Sequence, residues 1–523
     1  MRNLVLSLAT LMLLNPAWAN SPEGDAIPSA DAEAGEALAS AVAVPEGGEP
    51  QTLDVALAAL PTMKVFEKST IALEVVNADT GEKIYAYGDD RTLLPASTVK
   101  LLTAAVALRE LGPAYRFPTW VKTDGELGVD GVLDGNLHIV GQGDPTMVVE
   151  RMWKMIGDIK ARGVSEVKGN VVFDDSYMAG DGVWIPGWNK AEDLERGEVY
   201  YSALGALSLN FNLAAIVVRP GPSVGGAAVA SFETASDVLV LDNQLTTGRA
   251  RSKYWVKVDR KLDEAGKVAT YTLTGNVPVD LDPDRGPIYR TLADPTGNYV
   301  SVFRELAKAQ GIKVKGKFIV GPAPATSKLL LKAESERLAE ILPDMNKQSN
   351  NFIAEQVLRA VAAERIGLPG TTEGGARIIS DYLTSLGVAP DRHRIVNGSG
   401  LSRDAFLAPS ALDAVLRDMH NNLDLGPEFR STLAVGGRDG TLWHRFREDG
   451  MEGRVRAKTG SLSGVVCLAG YVAAADGTDY AFTFFVNDLD GSTARARAAH
   501  DQLVRVLSGV TGSLAAADDG GSD

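Results

Sequence analysis

The chain has 523 residues, 45% hydrophobic and 23% charged, with a formal charge of −15 at pH 7 from 52 basic and 67 acidic side chains. That length buries a large core and points to more than one domain. The composition is that of an ordinary globular protein, and the acidic balance argues against a nucleic-acid binder.

Met1-Arg2-Asn3 is a short basic start, residues 4–14 are apolar, and Ala17-Trp18-Ala19 has the small-x-small form of a cleavage site. Together they read as a signal peptide over residues 1–19, so the protein is exported. An uncleaved membrane anchor is the alternative, although the apolar run is short for a bilayer. Residues 20–55 read as a disordered acidic linker, since 20–49 contain no Lys or Arg and cannot bury enough apolar surface to fold alone. A flexible tail is expected over 511–523.

Residues 71–76 and 83–87 read as a hairpin through Asn77-Ala78-Asp79-Thr80-Gly81. Next comes Leu93-Leu94-Pro95-Ala96-Ser97-Thr98-Val99-Lys100 and an Ala- and Leu-rich run to Leu108. Proline suits a first helical turn, and a run apolar nearly all round predicts a buried helix. Three residues apart, Ser97 and Lys100 share one face of that helix. Burial would disfavour the lysine's cation and make the amine a base, especially beside a second cation.

Residues 117–330 are dense in Gly, Asp and Val, with β-like runs at 137–139, 171–173, 214–218, 238–240 and 271–273. Helical periodicity returns at 337–342 and 351–363. Strands are expected at 454–462, 465–472 and 480–486, and a last helix at 494–507. This order predicts an α/β (α+β) domain split in sequence, 56–118 with 331–510, around a β-rich inserted region of one or two modules over 119–330.

Two further polar clusters lie in the second half. Ser349-Asn350-Asn351 precedes a helix, where Ser349 would serve equally well as an N-cap. Lys458-Thr459-Gly460-Ser461 lies on a predicted strand. It offers a cation for a carboxylate, a hydroxyl donor, and a glycine that permits close backbone approach. Each spacing recurs elsewhere by chance or is common: Ser165-Glu166-Val167-Lys168 repeats the first, and Ser208-Leu209-Asn210, within a β-like run, repeats the second.

In this order the three clusters form the pattern of penicillin-binding proteins and serine β-lactamases. The chain resembles the low-molecular-mass class C penicillin-binding proteins, the periplasmic D-alanyl-D-alanine carboxypeptidase/endopeptidase family. Gly141-Gln142-Gly143-Asp144-Pro145-Thr146, residues 201–212, Asn397-Gly398-Ser399-Gly400-Leu401-Ser402 and Gly436-Gly437-Arg438-Asp439-Gly440-Thr441-Leu442 add to the likeness. So does the long insertion, which class A β-lactamases lack. The family usually has Asp at the position of Asn397 and often at that of Asn350, so altered loop contacts or substrate preference, not loss of chemistry, are expected there.

The resemblance implies that Ser97 attacks a D-alanyl peptide carbonyl while Lys100 takes its proton. It further implies that Ser349 relays a proton to the leaving amine and Lys458 sets the electrostatics. Asn351 would orient Lys100 and the substrate, and Thr459, Gly460 and Ser461 would line the carboxylate subsite. Backbone N–H groups of Ser97 and Ser461 would make the oxyanion hole. No cofactor or metal is implied. The implied partners are peptidoglycan peptides and, as covalent inhibitors, β-lactam antibiotics. Peripheral cell-wall or membrane association and a homo-oligomer stay open.

Two alternatives use the same scaffold: a serine β-lactamase, and a non-catalytic peptidoglycan-binding regulator. A third reading takes Gly460-Ser461-Leu462-Ser463-Gly464 as a nucleophile elbow, with Asp488 or Asp490 and His500 downstream. That elbow needs a helix directly after the serine, whereas Val465-Val466-Cys467-Leu468 has strand composition. Cys467, the only cysteine, reads as a buried inert thiol.

Overall fold

The computed structural model describes residues 53–178, 184–188 and 190–509. The expected signal peptide, the linker up to residue 52 and the tail lie outside the described residues. Helical structure begins inside the expected linker. Residues 53–55 belong to helix α1 (Leu53–Ala59), whose Leu57 is fully buried and anchors it to the core.

Strands β1 (Thr70–Asn77) and β2 (Lys83–Tyr87) form the expected hairpin, followed by helix α2 (Val99–Leu111). After the insertion come helices α3 (Leu338–Lys347), α4 (Asn351–Arg365), α5 (Thr372–Ser385) and α6 (Pro409–Asn421). Strands β3 (Ala434–Val435), β4 (Val455–Leu462), β5 (Val465–Ala473) and β6 (Asp479–Asn487) and helix α7 (Thr493–Ser508) complete this part. The six strands make one antiparallel sheet in the order β2-β1-β6-β5-β4-β3. Segments from both ends of the chain meet at its centre, where Thr70 pairs with Asn487 and Asn77 with Tyr480.

Helices cover both faces, so β5 and β6 are buried almost throughout and read as continuous apolar runs, not as alternation. On one face Phe485 and Ala469 pack with Leu101, Val357 and Leu412 from α2, α4 and α6. On the other, Phe482 and Phe484 pack with Leu57 and Leu503 from α1 and α7. Each large apolar side chain so buried contributes about 1.5–3 kcal/mol. Every residue of α2 from 99 to 108 is buried, which matches its lack of a polar face.

The insertion is β-rich, as expected, with its strands in several sheets. Strands Phe318–Val320, Val171–Asp174, Leu137–Gly141, Pro118–Thr123 and Lys328–Glu334 form a five-stranded sheet. Helices Val149–Ala161 and Pro295–Ala309 share its core, so this module is mixed α/β. A second core lies between two three-stranded sheets within 213–291. The strand Pro118–Thr123 pairs with Lys328–Glu334, which puts both crossings slightly outside the expected bounds.

The two chance spacings also resolve. Lys168 is half exposed and faces Asp134 at 3.4 Å. Ser208-Leu209-Asn210 was expected within a strand, but it lies in a turn before Leu213–Arg219. There Asn210, Phe211 and Asn212 hold left-handed φ angles of 51°, 56° and 56°. The buried Asn212 amide holds that turn by donating to the Ala203 carbonyl and Ser208 Oγ.

Candidate active site

Ser97 sits in the 3-10 turn Ala96–Thr98 that leads into α2. Ala96 has a left-handed φ of 46°, a conformation that costs an L-residue about 1–2 kcal/mol. The turn lies against β4 at Gly460. A Cβ there would stand 3.0 Å from the Pro95 carbonyl and 3.2 Å from Ala96 Cβ. The glycine therefore lets the strand approach the protein's own serine-bearing turn.

One helical turn on, Lys100 is completely buried. Its Nζ lies 2.9 Å from Ser97 Oγ, 2.7 Å from Asn351 Oδ1 and 2.7 Å from the Ser399 carbonyl oxygen. Burial, then the nearby Lys458, hold its pKa well below that of a free lysine, with Glu355 pulling the other way. A neutral Lys100 has two N–H groups for Asn351 and Ser399, which leaves its lone pair for the Ser97 hydroxyl proton. That is the geometry of a base in contact with its nucleophile.

Asn351 opens α4, and its Nδ2 donates to the Tyr200 carbonyl at 2.8 Å. That contact fixes which end of the amide faces Lys100. The N-cap role open to Ser349 falls to Asn350 instead, whose Oδ1 accepts from the Ile353 N–H at 3.0 Å. Ser349 takes a left-handed φ of 57° between α3 and α4. Strain of this kind, of order 1–3 kcal/mol, persists where the surroundings hold it and is common at functional sites.

Ser349 Oγ accepts from Lys458 Nζ at 2.9 Å, and Lys458 also donates to the Thr459 carbonyl at 2.7 Å. Lys458 is fully buried within β4, and burial lowers its pKa to about 7. It is not on a free edge strand, because β3 pairs with β4 at Arg456 and Ala457. Beyond that pairing, Thr459 Oγ1 meets Thr441 Oγ1 at 2.9 Å and Ser461 is exposed.

The structure thus brings together two hydrogen-bonded groups, Ser97–Lys100–Asn351 and Ser349–Lys458, near enough for the Lys458 charge to act on Lys100, with Thr459, Gly460 and Ser461 along the strand of the second. It does not assemble the elbow alternative. The strand β5, not a helix, follows Ser463. His500 is buried on α7 with its ring 4.6 Å from Phe484, and neither ring nitrogen has a hydrogen-bond partner among the described residues. Cys467 is buried in β5, which pushes its thiol pKa up and leaves it inert.

Several contributors were not singled out from sequence. Glu355 on α4 accepts the backbone N–H of Ser399 at 2.8 Å and of Gly398 at 3.2 Å. Gln356 donates to the Gly205 and Gly143 carbonyls at 2.8 and 3.4 Å, docking two insertion loops on α4. These loops lie within the stretches 141–146 and 201–212 whose likeness to the family was noted. Asn397, which the resemblance had already marked as a departure, donates to the Pro186 and Leu401 carbonyls at 2.8 and 2.9 Å, which a carboxylate could not do.

A serine on a buried low-pKa lysine, with a second serine–lysine pair beside it in a helix-covered antiparallel sheet, defines a serine hydrolase of the penicillin-binding class. The chain belongs to the D-Ala-D-Ala carboxypeptidase 3 (S13) family, whose model matches residues 51–510. It is similar to the D-alanyl-D-alanine carboxypeptidase of Actinomadura sp. (strain R39), 31% identical over 439 residues, which cover 82% of this chain and 79% of that one. The D-alanyl-D-alanine carboxypeptidase DacB of Haemophilus influenzae is 27% identical over 446 residues, covering 83% and 90%. Penicillin binding protein 4 (dacB) from Haemophilus influenzae has the same fold. Its structure matches with a TM-score of 0.72 at 24% identity, covering 88% of this chain and 98% of that one. The resemblance drawn from the three motifs holds.

Proposed function

We propose that this protein is a periplasmic serine D-alanyl-D-alanine carboxypeptidase and/or endopeptidase that cleaves peptidoglycan stem peptides or their D-Ala cross-links. The observation that carries the reading is Lys100 Nζ, desolvated and 2.9 Å from Ser97 Oγ. Lys100 takes the Ser97 hydroxyl proton as Oγ bonds to the D-alanyl carbonyl carbon. The C–N bond then breaks, and the amine leaves with the proton that Lys100 took, passed on through Ser349, which restores Lys100 as a neutral base. Asn351 holds Lys100 and the substrate amide, while Lys458, Thr459, Gly460 and Ser461 receive the terminal carboxylate. Backbone N–H groups of Ser97 and Ser461 stabilise the oxyanion, where one lost donor costs about 3–4 kcal/mol. Water hydrolyses the acyl-enzyme, releasing the acid and restoring Ser97.

Residues 56–118 with 331–510 form the catalytic domain in this reading, and 119–330 the inserted part. Export rests on the N-terminal sequence. Among the described residues no helix is long and apolar enough to cross a membrane. β-Lactams are the expected covalent inhibitors, in keeping with a Haemophilus influenzae penicillin binding protein 4 structure complexed with one.

The test is labelling with a fluorescent penicillin, wild type beside Ser97→Ala, followed by digestion of cross-linked muropeptides. Stable label on wild type alone, with released D-alanine or separated stems, supports the reading. Rapid turnover of the penicillin would make it a β-lactamase, and no label would leave a binding protein.

A further inference from the structure

Helix α4 presents two polar side chains one turn apart to the same lysine, one directly and one at a remove. Asn351 Oδ1 accepts from Lys100 itself. Four residues on, Glu355 is completely buried, and its two carboxylate oxygens take the backbone N–H groups of Gly398 and Ser399. The carbonyl of that same Ser399 is Lys100's other acceptor, at 2.7 Å. Thr103, on the helix that carries Lys100, donates to the Gly398 carbonyl at 2.7 Å and closes the ring from below.

We propose that Glu355 is a positioning residue for Lys100: by clamping the 398–399 backbone it aims Lys100's lone pair at Ser97, and its carboxylate faces that buried amine. This inference rests on the function proposed above and assigns to that site a group outside its three motifs. A buried carboxylate that holds two backbone N–H groups is doing more than filling space, since a neutral side chain could fill it without the desolvation cost. Burial pushes its pKa above the ordinary carboxylate value, while the hydrogen bonds from Ser399 and Gly398 and the Arg359 charge pull it back towards the ionised form. The charges that face this carboxylate are Arg359, one turn further along α4, and Lys100. Without Glu355 the Ser399 carbonyl is free to swing, and an error of 1 Å in such a contact can cost on the order of 10²-fold in rate.

Two substitutions separate reach from charge. Glu355→Gln removes the charge and sets an amide N–H₂ against one of the two backbone N–H groups. Glu355→Asp keeps the charge and shortens the reach. The readout is the pseudo-first-order rate constant for acylation by a fluorescent penicillin across pH 5–10. That constant is a property of each competent molecule, so a smaller folded fraction does not change it. The expected result is a loss of about 10–100-fold for both variants. In Glu355→Gln alone, the acid limb of the profile should move to lower pH, because the anion that holds Lys100 protonated is gone. A purely structural role would lower the labelled amount and the Tm but leave rate constant and profile in place. Glu355→Gln acylating at the wild-type rate with an unshifted acid limb overturns the proposal. Failure of wild type itself to label at Ser97 instead overturns the underlying functional reading.

Discussion

Ser349 Oγ and Lys458 Nζ meet at 2.9 Å across 109 residues of chain, joining the strained link before α4 to the middle of β4. Because burial lowers this lysine's pKa to about 7, Lys458 gains and loses its proton near neutrality. A folded pKa below the ordinary lysine value means that the unfolded chain binds the proton more tightly between the two. Stability therefore rises as pH increases from about 7 towards 10.5. Lys458→Met should be more stable than wild type at pH 6, by about 4–5 kcal/mol at most. The difference should vanish by about pH 10. Urea unfolding of both proteins across that range checks the sign.

The same titration predicts how substrate binding depends on pH. Protonated Lys458 attracts a carboxylate and neutral Lys458 does not. KM for a peptide ending in free D-alanine should rise above about pH 7, whereas the C-terminally amidated peptide should lack that limb. Steady-state kinetics on the two peptides makes the comparison.

Lys100→Met removes the proposed base and a desolvated amine together. Acylation by penicillin should fall by roughly 10²–10⁴-fold, the usual share of a general base. The Tm should rise at neutral pH, because the unfolded lysine holds a proton that the buried amine must give up on folding. Stopped-flow labelling and calorimetry on one preparation test both halves. An unchanged acylation rate would assign the base elsewhere.

Gly460→Ala should hurt activity more than stability. The new methyl meets the Pro95 carbonyl and Ala96, the backbone that sets Ser97. Overpacking of this kind costs about 1–3 kcal/mol in folding. The displaced nucleophile should lower acylation by at least tenfold, an effect of a shifted reacting atom that labelling kinetics would show.

Asp413 on α6 predicts the opposite pH trend to that of Lys458. Its carboxyl is fully buried, and burial and then the Glu74 charge push its pKa well above the ordinary value, while Thr483 Oγ1 donates to it at 2.6 Å. The proton is bound more tightly in the folded state. Its stabilisation is complete in acid and is lost as pH rises through the raised pKa. Asp413→Asn, which mimics the protonated form, should match wild type near pH 4. Above that it should gain up to about 1.4 kcal/mol per pH unit until the folded group ionises. Thermal melts at pH 4, 6 and 8 decide it.

The residues that gather around Ser97 were legible because each lies in a short motif: Ser97 with Lys100 on one helical face, Ser349 with Asn351, and Lys458 to Ser461. Glu355 was not, since its partners at Gly398 and Ser399 are backbone groups that no side-chain pattern marks. The helix Val149–Ala161 buries Met152, Met155, Ile156 and Ile159, a spacing present in the sequence but hidden among the surrounding Gly, Asp and Val. Likewise Asp294-Pro295 is a helix start, with the Asp294 side chain accepting from the Gly297 N–H. Apolar runs in the final sheet were easy to read for the opposite reason, being long, unbroken and rich in β-branched and aromatic residues.

Tyr200 and Gly205 join the insertion to α4 through Asn351 and Gln356, so the appendage is wired into the reaction centre. Excising residues 119–330 to make a smaller enzyme would strip the amide of Asn351 of the carbonyl that keeps it from flipping. Such a miniature would keep every motif residue and still lose its aim, which makes the large loop a part of the catalyst that cannot be inherited separately.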